Sequence, residues 1–423
     1  MPRRSSHGPT AIRRRRLALL LLALLALVAG VAVGAGGGED EGTTQAGAPA
    51  TTGDGRAAGD GAPGADGDGA DGDRSADDSA PAAPPTAAER ARARVARMAL
   101  PRQVGQLLVI SFSGTTAPSY ATDALRAGRA SGAILFGGNA PSAASVRALS
   151  ASLQRAAGGD AIVSLDQEGG EIRTLAFAPP QTGQAGQPTP AAARRSARTT
   201  AAALRDVGVN VTLGPVADVA ETAGSFMASR AFPGDASAVA ASVAAAVGAY
   251  RRAGIESTPK HFPGVGAATQ NTDFGSASIG RGVAQLDASE LVPYRAAFDA
   301  GARIVMVGHA RYPRIDGDRI ASQSRAIVTG LLRERLGFDG VAMTDSLEAE
   351  AVDAATPGDA DVGLAAVRSL AAGNDLLLLT GPGSFPLARE ALIAAARADP
   401  AIRARVAESA ARVVELRARL AGD

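Results

Sequence analysis

Cysteine and tryptophan are absent from the 423 residues, and histidine occurs three times. Without thiols the chain makes no disulfide, no zinc–thiolate site and no cysteine nucleophile. A histidine-rich metal centre is also out of reach, because one of the three, His7, lies in an N-terminal tail. Lysine is nearly missing too: of 43 basic residues, Lys260 alone is not arginine. That bias looks like GC-rich coding, and it makes the retained lysine a question. Either it survives by chance, or its position needs a compact point donor that a planar guanidinium cannot replace.

The net charge of +1 conceals three different regions. Residues 1–16 carry +6, residues 36–85 carry −9, and residues 86–423 carry +4. A near-neutral main region offers no electrostatic footprint for nucleic acid, which is excluded as a partner. Arg13 to Arg16 precede an almost pure Leu/Ala/Val run, Leu17 to Val33. Basic residues before such a run describe an export signal or an N-terminal membrane anchor over residues 1–35. Val33-Gly34-Ala35 would pass as a cleavage site, so secretion and anchoring both stay open. Residues 36–85, rich in Gly, Ala and Asp, hold too little apolar surface to offset ordering entropy and are expected to form a disordered linker. The folded domain is expected over 86–423, opening with a helix from Ala87 to Met98.

Beyond residue 100, short β-rich runs alternate with Ala/Arg/Leu stretches of helical character. The runs are Gln106–Ser113, Gly132–Phe136, Ala161–Leu165, Val209–Leu213, Ile255–Pro259, Arg303–Gly308, Gly340–Thr344 and Asp375–Thr380. Most are apolar on both faces, as in strands of a covered parallel sheet. Helices are expected at Ala191–Asp206, Ala236–Ala253 and Ala326–Leu336. Eight such units predict an α/β fold, a (β/α)8 TIM barrel, with a doubly wound sheet as the alternative. Polar residues follow the runs: Asn139, Asp166 with Glu168, Asp218, Lys260 with His261, His309 and Asp345. Catalytic groups of barrel enzymes gather at these strand ends.

Three segments are more specific: Asp166-Gln167-Glu168-Gly169-Gly170, Lys260-His261-Phe262-Pro263-Gly264, and Leu336-Gly337-Phe338-Asp339-Gly340 running into Thr344-Asp345-Ser346-Leu347. With the ILFGGN, GPVADV and SRAF segments, they resemble glycoside hydrolase family 3, and within it the single-barrel β-N-acetylhexosaminidases. The resemblance covers about residues 90–420. It implies a barrel that removes sugars from non-reducing ends with retained configuration. It further implies that Asp345 is the nucleophile. Asp166, Arg230, Lys260 and His261 are implied to bind substrate, and Glu168 to support its loop. A capping aspartate before a helix starting near Leu347 is the structural alternative for Asp345.

The chain departs from the family where the family keeps its general acid/base. Val265 replaces a histidine, Asn271 the orienting aspartate, and Asp273 the catalytic histidine. Thr174 stands where the family has a substrate-binding arginine, with Arg173 next to it as the candidate, and Glu171 replaces another. Asp273 as the acid would restore a two-carboxylate arrangement with Asp345, given a raised pKa. The alternatives are cleavage only of substrates with good leaving groups, or a non-catalytic glycan-binding barrel. A Schiff base on Lys260 is a further alternative from another enzyme class.

Neither metal nor organic cofactor is expected. The scarcity of aromatics suits a compact pocket for one terminal sugar rather than a long polysaccharide cleft. With the export segment, these readings point to extracytoplasmic glycans, and to terminal β-linked N-acetylglucosamine of cell-wall material.

Overall fold

The computed structural model describes residues 84–355 and 361–422. The expected export segment, and all but the last two residues of the expected linker, lie outside the described residues. Among the described residues no helix is long and apolar enough to cross a membrane.

Eight parallel strands form one sheet: β1 Leu108–Ile110, β2 Gly132–Leu135, β3 Ile162–Leu165, β4 Val211–Thr212, β5 Glu256–Ser257, β6 Ile304–Val307, β7 Val341–Ser346 and β8 Leu376–Leu379. Their order is β5-β4-β3-β2-β1-β8-β7-β6. The chain just beyond β5 closes the ring on β6. There Phe262 bridges Val307, and the amide of Phe262 donates to the Met306 carbonyl at 2.8 Å. The fold is the expected (β/α)8 barrel; seven expected runs contain their strands, and the seventh in chain order, Gly340–Thr344, falls two residues short of the end of β7 at Ser346. Expected strand ends overrun the observed ones by one to three residues at most places, because the last apolar residues already turn into loops.

Alternation along the strands divides their side chains between two environments. Val109, Ile134, Ile162, Val211, Ile304, Met306, Val341, Met343, Leu376 and Leu378 fill the barrel. Ala133, Leu135, Val163, Leu165, Val305 and Val307 pack outward against the helices. The two longest helices on this outer layer start at clear signals. Thr189 accepts from the Ala192 amide ahead of Pro190–Asp206, and Asp235 from the Ala238 amide ahead of Ala236–Arg252. Ala87–Ala96 opens the described fold, capped by Thr86 and Glu89 in a reciprocal box. The expected helix at Ala326–Leu336 is wound more widely: Ala326–Arg335 is a π-helix, and the Leu336 amide bonds five residues back to Leu331.

The final helix, Pro400–Ala421, crosses the N-terminal rim of the barrel. Arg417 donates to the Asp160 carbonyl ahead of β3 and to Gln106 ahead of β1. Arg405 and Arg412 reach Asp375, the fully buried residue just before β8, which Arg333 also pairs. Val413 and Leu416 of this helix join the cluster that fills the barrel. One end of the barrel is therefore sealed, and the opposite mouth carries the polar residues.

Candidate active site

Asp345 lies within β7, and the next helix, Glu350–Ala354, begins five residues later. It is therefore no helix cap. The register between β7 and β8 shifts between Met343 and Ser346, a bulge of the kind that re-aims a side chain. The Asp345 carboxylate accepts the Ser346 amide at 2.8 Å. Burial pushes its pKa up, but His261, His309, Lys260 and that amide more than offset the effect and hold it below the usual value. His309, after β6, braces the turn from behind. Its Nε2 donates to the Ser346 carbonyl oxygen at 2.8 Å, and its Nδ1 lies 2.8 Å from the Ser322 hydroxyl.

Across the barrel, Lys260 Nζ lies 2.5 Å from Asp166 and 2.6 Å from Glu168. Arg230 grips the same Glu168 with two bonds, Nε at 2.9 Å and Nη2 at 2.7 Å. Burial would raise the Glu168 carboxyl, yet Lys260 and Arg230 bring it down to about 2. Burial likewise works against the Lys260 ammonium, and Asp166 and Glu168 reverse the sign, so its pKa is raised. A lysine held as an ammonium between two carboxylates is not the neutral amine a Schiff base needs, which removes the aldolase alternative. Glu168 is committed to the two cations, in line with a supporting role.

His261 is positioned by Asp218, six residues beyond β4 and wholly buried. Asp218 accepts His261 Nδ1 at 2.8 Å and the Val265 amide at 2.7 Å. Sequence reading placed Asp218 at a strand end and gave it no role; a buried acid beside a strand-end histidine was the available signal. Gly264 has φ +122°, and a Cβ there would strike the Glu290 side chain at 2.2 Å, so the turn after His261 requires glycine.

The loop around Asn271 and Asp273 folds back towards the segment that follows Asp345. The carbonyls of Thr272 and Asp273 accept from the amides of Ala351 and Glu350 at 3.1 and 3.2 Å. Asn271 turns its side chain to the Asp273 amide at 3.0 Å. Asp273 keeps contact with solvent. Partial desolvation of its carboxyl, then Asp345, raises its pKa, with His261, Arg230 and His309 opposing.

Two expected residues stay out of this centre. Arg173 lies in a hairpin of Gln167–Gly169 with Ile172–Arg173 and hydrogen-bonds Gln181. Asn139 ties loops together, accepting the Phe136 amide and donating to the carbonyls of Phe112 and Gly114.

With this arrangement established, the relatives can be compared. The description "Glycosyl hydrolase family 3 N terminal domain" fits residues 99–416. The chain belongs to glycosyl hydrolase family 3. It is 34% identical over 251 residues to a beta-hexosaminidase of Xanthomonas oryzae pv. oryzae, covering 57% of this chain and 75% of that protein. An uncharacterized secreted glycosyl hydrolase of Arthroderma benhamiae is 33% identical over 292 residues, 66% of this chain and 81% of the other. Among solved structures, the family 3 beta-N-acetylglucosaminidase of Paenibacillus superimposes with a TM-score of 0.71 at 30% identity, covering 76% of this chain and 63% of that one. The family 3 chain thus spans under two thirds of the Paenibacillus protein. The beta-N-acetylhexosaminidase of Beutenbergia cavernae gives 0.68 at 32% identity, covering 76% and 99%. The chain is a glycoside hydrolase similar to the β-N-acetylglucosaminidases of its family.

Proposed function

We propose that this family 3 chain is an exo-acting, retaining β-N-acetylglucosaminidase in which Asp345 is the nucleophile and Asp273 the general acid/base. The observation that carries the reading is a pair of carboxyl groups at one barrel mouth with pKa values displaced in opposite directions, Asp345 down and Asp273 up. In the first step an Asp345 oxygen bonds to the anomeric carbon. The glycosidic bond breaks, its electron pair goes to the leaving oxygen, and that oxygen takes the Asp273 proton. In the second step the Asp273 carboxylate takes a proton from water, whose oxygen bonds to the anomeric carbon and releases Asp345.

The remaining polar groups bind the sugar in this scheme. Lys260, Asp166 and His261 face the mouth, and Arg230, with Nε and Nη2 on Glu168, keeps Nη1 for a hydroxyl. Charged donors and acceptors make the stronger hydrogen bonds and orient the ring. The basic and apolar N-terminal run supports an extracytoplasmic place of action on cell-wall glycans, secreted or anchored, and a relative described as secreted agrees with export.

The test separates the two carboxylates. Asp345→Asn should lower kcat/KM on an aryl N-acetyl-β-glucosaminide by roughly 10⁴-fold or more. Asp273→Asn should cost about 10²–10⁴-fold on a natural oligosaccharide and much less on the aryl substrate, whose leaving group needs no proton. Equal losses on both substrates would reject Asp273 as the acid. Glycan binding without turnover in the parent enzyme would favour the non-catalytic reading.

A further inference from the structure

The chain has ten phenylalanines and four tyrosines. Among the described residues four of these rings are exposed: Tyr120 at 52%, Phe136 at 40%, Phe177 at 44% and Phe274 at 53%. All four stand on segments that follow the C-terminal ends of strands, β1, β2, β3 and β5 respectively. Single exposed hydrophobics are ordinary on any surface. Here they are confined to the mouth side, in a protein that is otherwise sparing with aromatics, and core packing does not explain them.

Phe274 is the most informative, since it directly follows Asp273. Its backbone is fixed: the amide of Phe274 donates to the Asn271 carbonyl at 3.1 Å, and the two preceding carbonyls are tied to Glu350 and Ala351. The ring is thus held out to water from a rigid turn. A general acid at Asp273 delivers its proton to the glycosidic oxygen, the atom that joins the cleaved sugar to the remainder of the substrate. A ring beside that acid lies on the leaving-group side. The face of a pyranose bearing axial C–H bonds is apolar and fits flat on an aromatic ring, with hydroxyls at the edge still solvated. A small alcohol would have no use for such a platform.

We propose that Phe274 is the floor of a leaving-group subsite that takes a pyranose ring, so that the substrate is a saccharide chain rather than the glycoside of a small alcohol. The proposal rests on the glycosidase reading above. It extends the expectation drawn from scarce aromatics: beyond a pocket for one terminal sugar, one exposed ring stands where a second sugar would lie.

The experiment compares N,N′,N″-triacetylchitotriose with N-acetyl-β-glucosaminyl fluoride, whose leaving group is a single atom, in the parent, Phe274→Ala and Phe274→Tyr. The ratio of kcat/KM for trisaccharide over fluoride should fall about tenfold in Phe274→Ala, mainly through KM, and Phe274→Tyr should restore most of it. An unchanged ratio, or a parent that consumes the fluoride but not the trisaccharide, overturns the subsite while leaving the glycosidase intact. A parent that turns over neither substrate overturns the glycosidase reading, and the subsite falls with it.

Discussion

Asp273 and Asp345 differ in what surrounds them more than in what they are. For Asp345 the pull of His261, His309, Lys260 and the Ser346 amide outweighs burial, whereas for Asp273 desolvation and the anionic Asp345 outweigh His261, Arg230 and His309. Activity by the proposed mechanism needs Asp345 ionised and Asp273 protonated. Turnover should therefore fall as pH drops through the lowered value of Asp345 and fall again as pH rises through the raised value of Asp273. In Asp273→Asn the alkaline limb of kcat/KM on a natural oligosaccharide, whose leaving group needs the proton, should disappear while the acidic limb remains. Persistence of the alkaline limb would assign it to another group. The acidic and basic residues of this centre were legible in the sequence because they sit in short motifs at strand ends. Their pairings were less so: that Glu168 bridges Lys260 to Arg230, or that Asp218 carries His261, depends on neighbours separated by 62 and 43 positions in the chain.

At the level of elements, eight apolar runs were enough to reveal eight strands, since burial on both faces leaves a continuous signature in each. The π-helix at Ala326–Arg335 was not, because its composition reads as ordinary helix and only its hydrogen bonding differs. Nor was the role of the final helix, Pro400–Ala421, as the seal of the barrel. That role depends on Asp375, whose carboxylate is buried and would be raised by burial but is held low by Arg333, Arg405 and Arg412. Asp375→Asn leaves three guanidinium groups around a neutral amide and should destabilise the fold by about 3–5 kcal/mol. Urea melts would measure the loss, and kcat/KM of the surviving folded protein should match the parent, because the residue lies at the rim opposite the mouth. A loss under about 1 kcal/mol would mean that the helix is held without the Asp375 network, by its apolar side chains and Arg417.

For the whole molecule, the buried charge network links stability to acidity. Glu168 has a folded-state pKa of about 2 against an ordinary value of 4.5. Its contribution is complete above the ordinary value and is lost progressively as pH falls from there towards 2, on the order of 3 kcal/mol in all. Asp345 and Asp375 are lowered as well and add to the same acid slope, whereas Asp273 and Glu290, raised chiefly by burial, act in the opposite sense. Chemical denaturation between pH 5 and 2.5 should show a shallower loss in Glu168→Gln than in the parent. Identical slopes would remove Glu168 from the acid response.

The side chains that fill the barrel have a consequence for traffic. With no passage through the core, everything enters and leaves by one mouth. Under the proposed double displacement, the severed chain must withdraw past Phe274 before a water molecule finds space beside the anomeric carbon. The freed monosaccharide then leaves by the same route, first in and last out. A clinging first product would hold the covalent intermediate in waiting, so the grip that recruits a long glycan also sets how soon the next one is admitted.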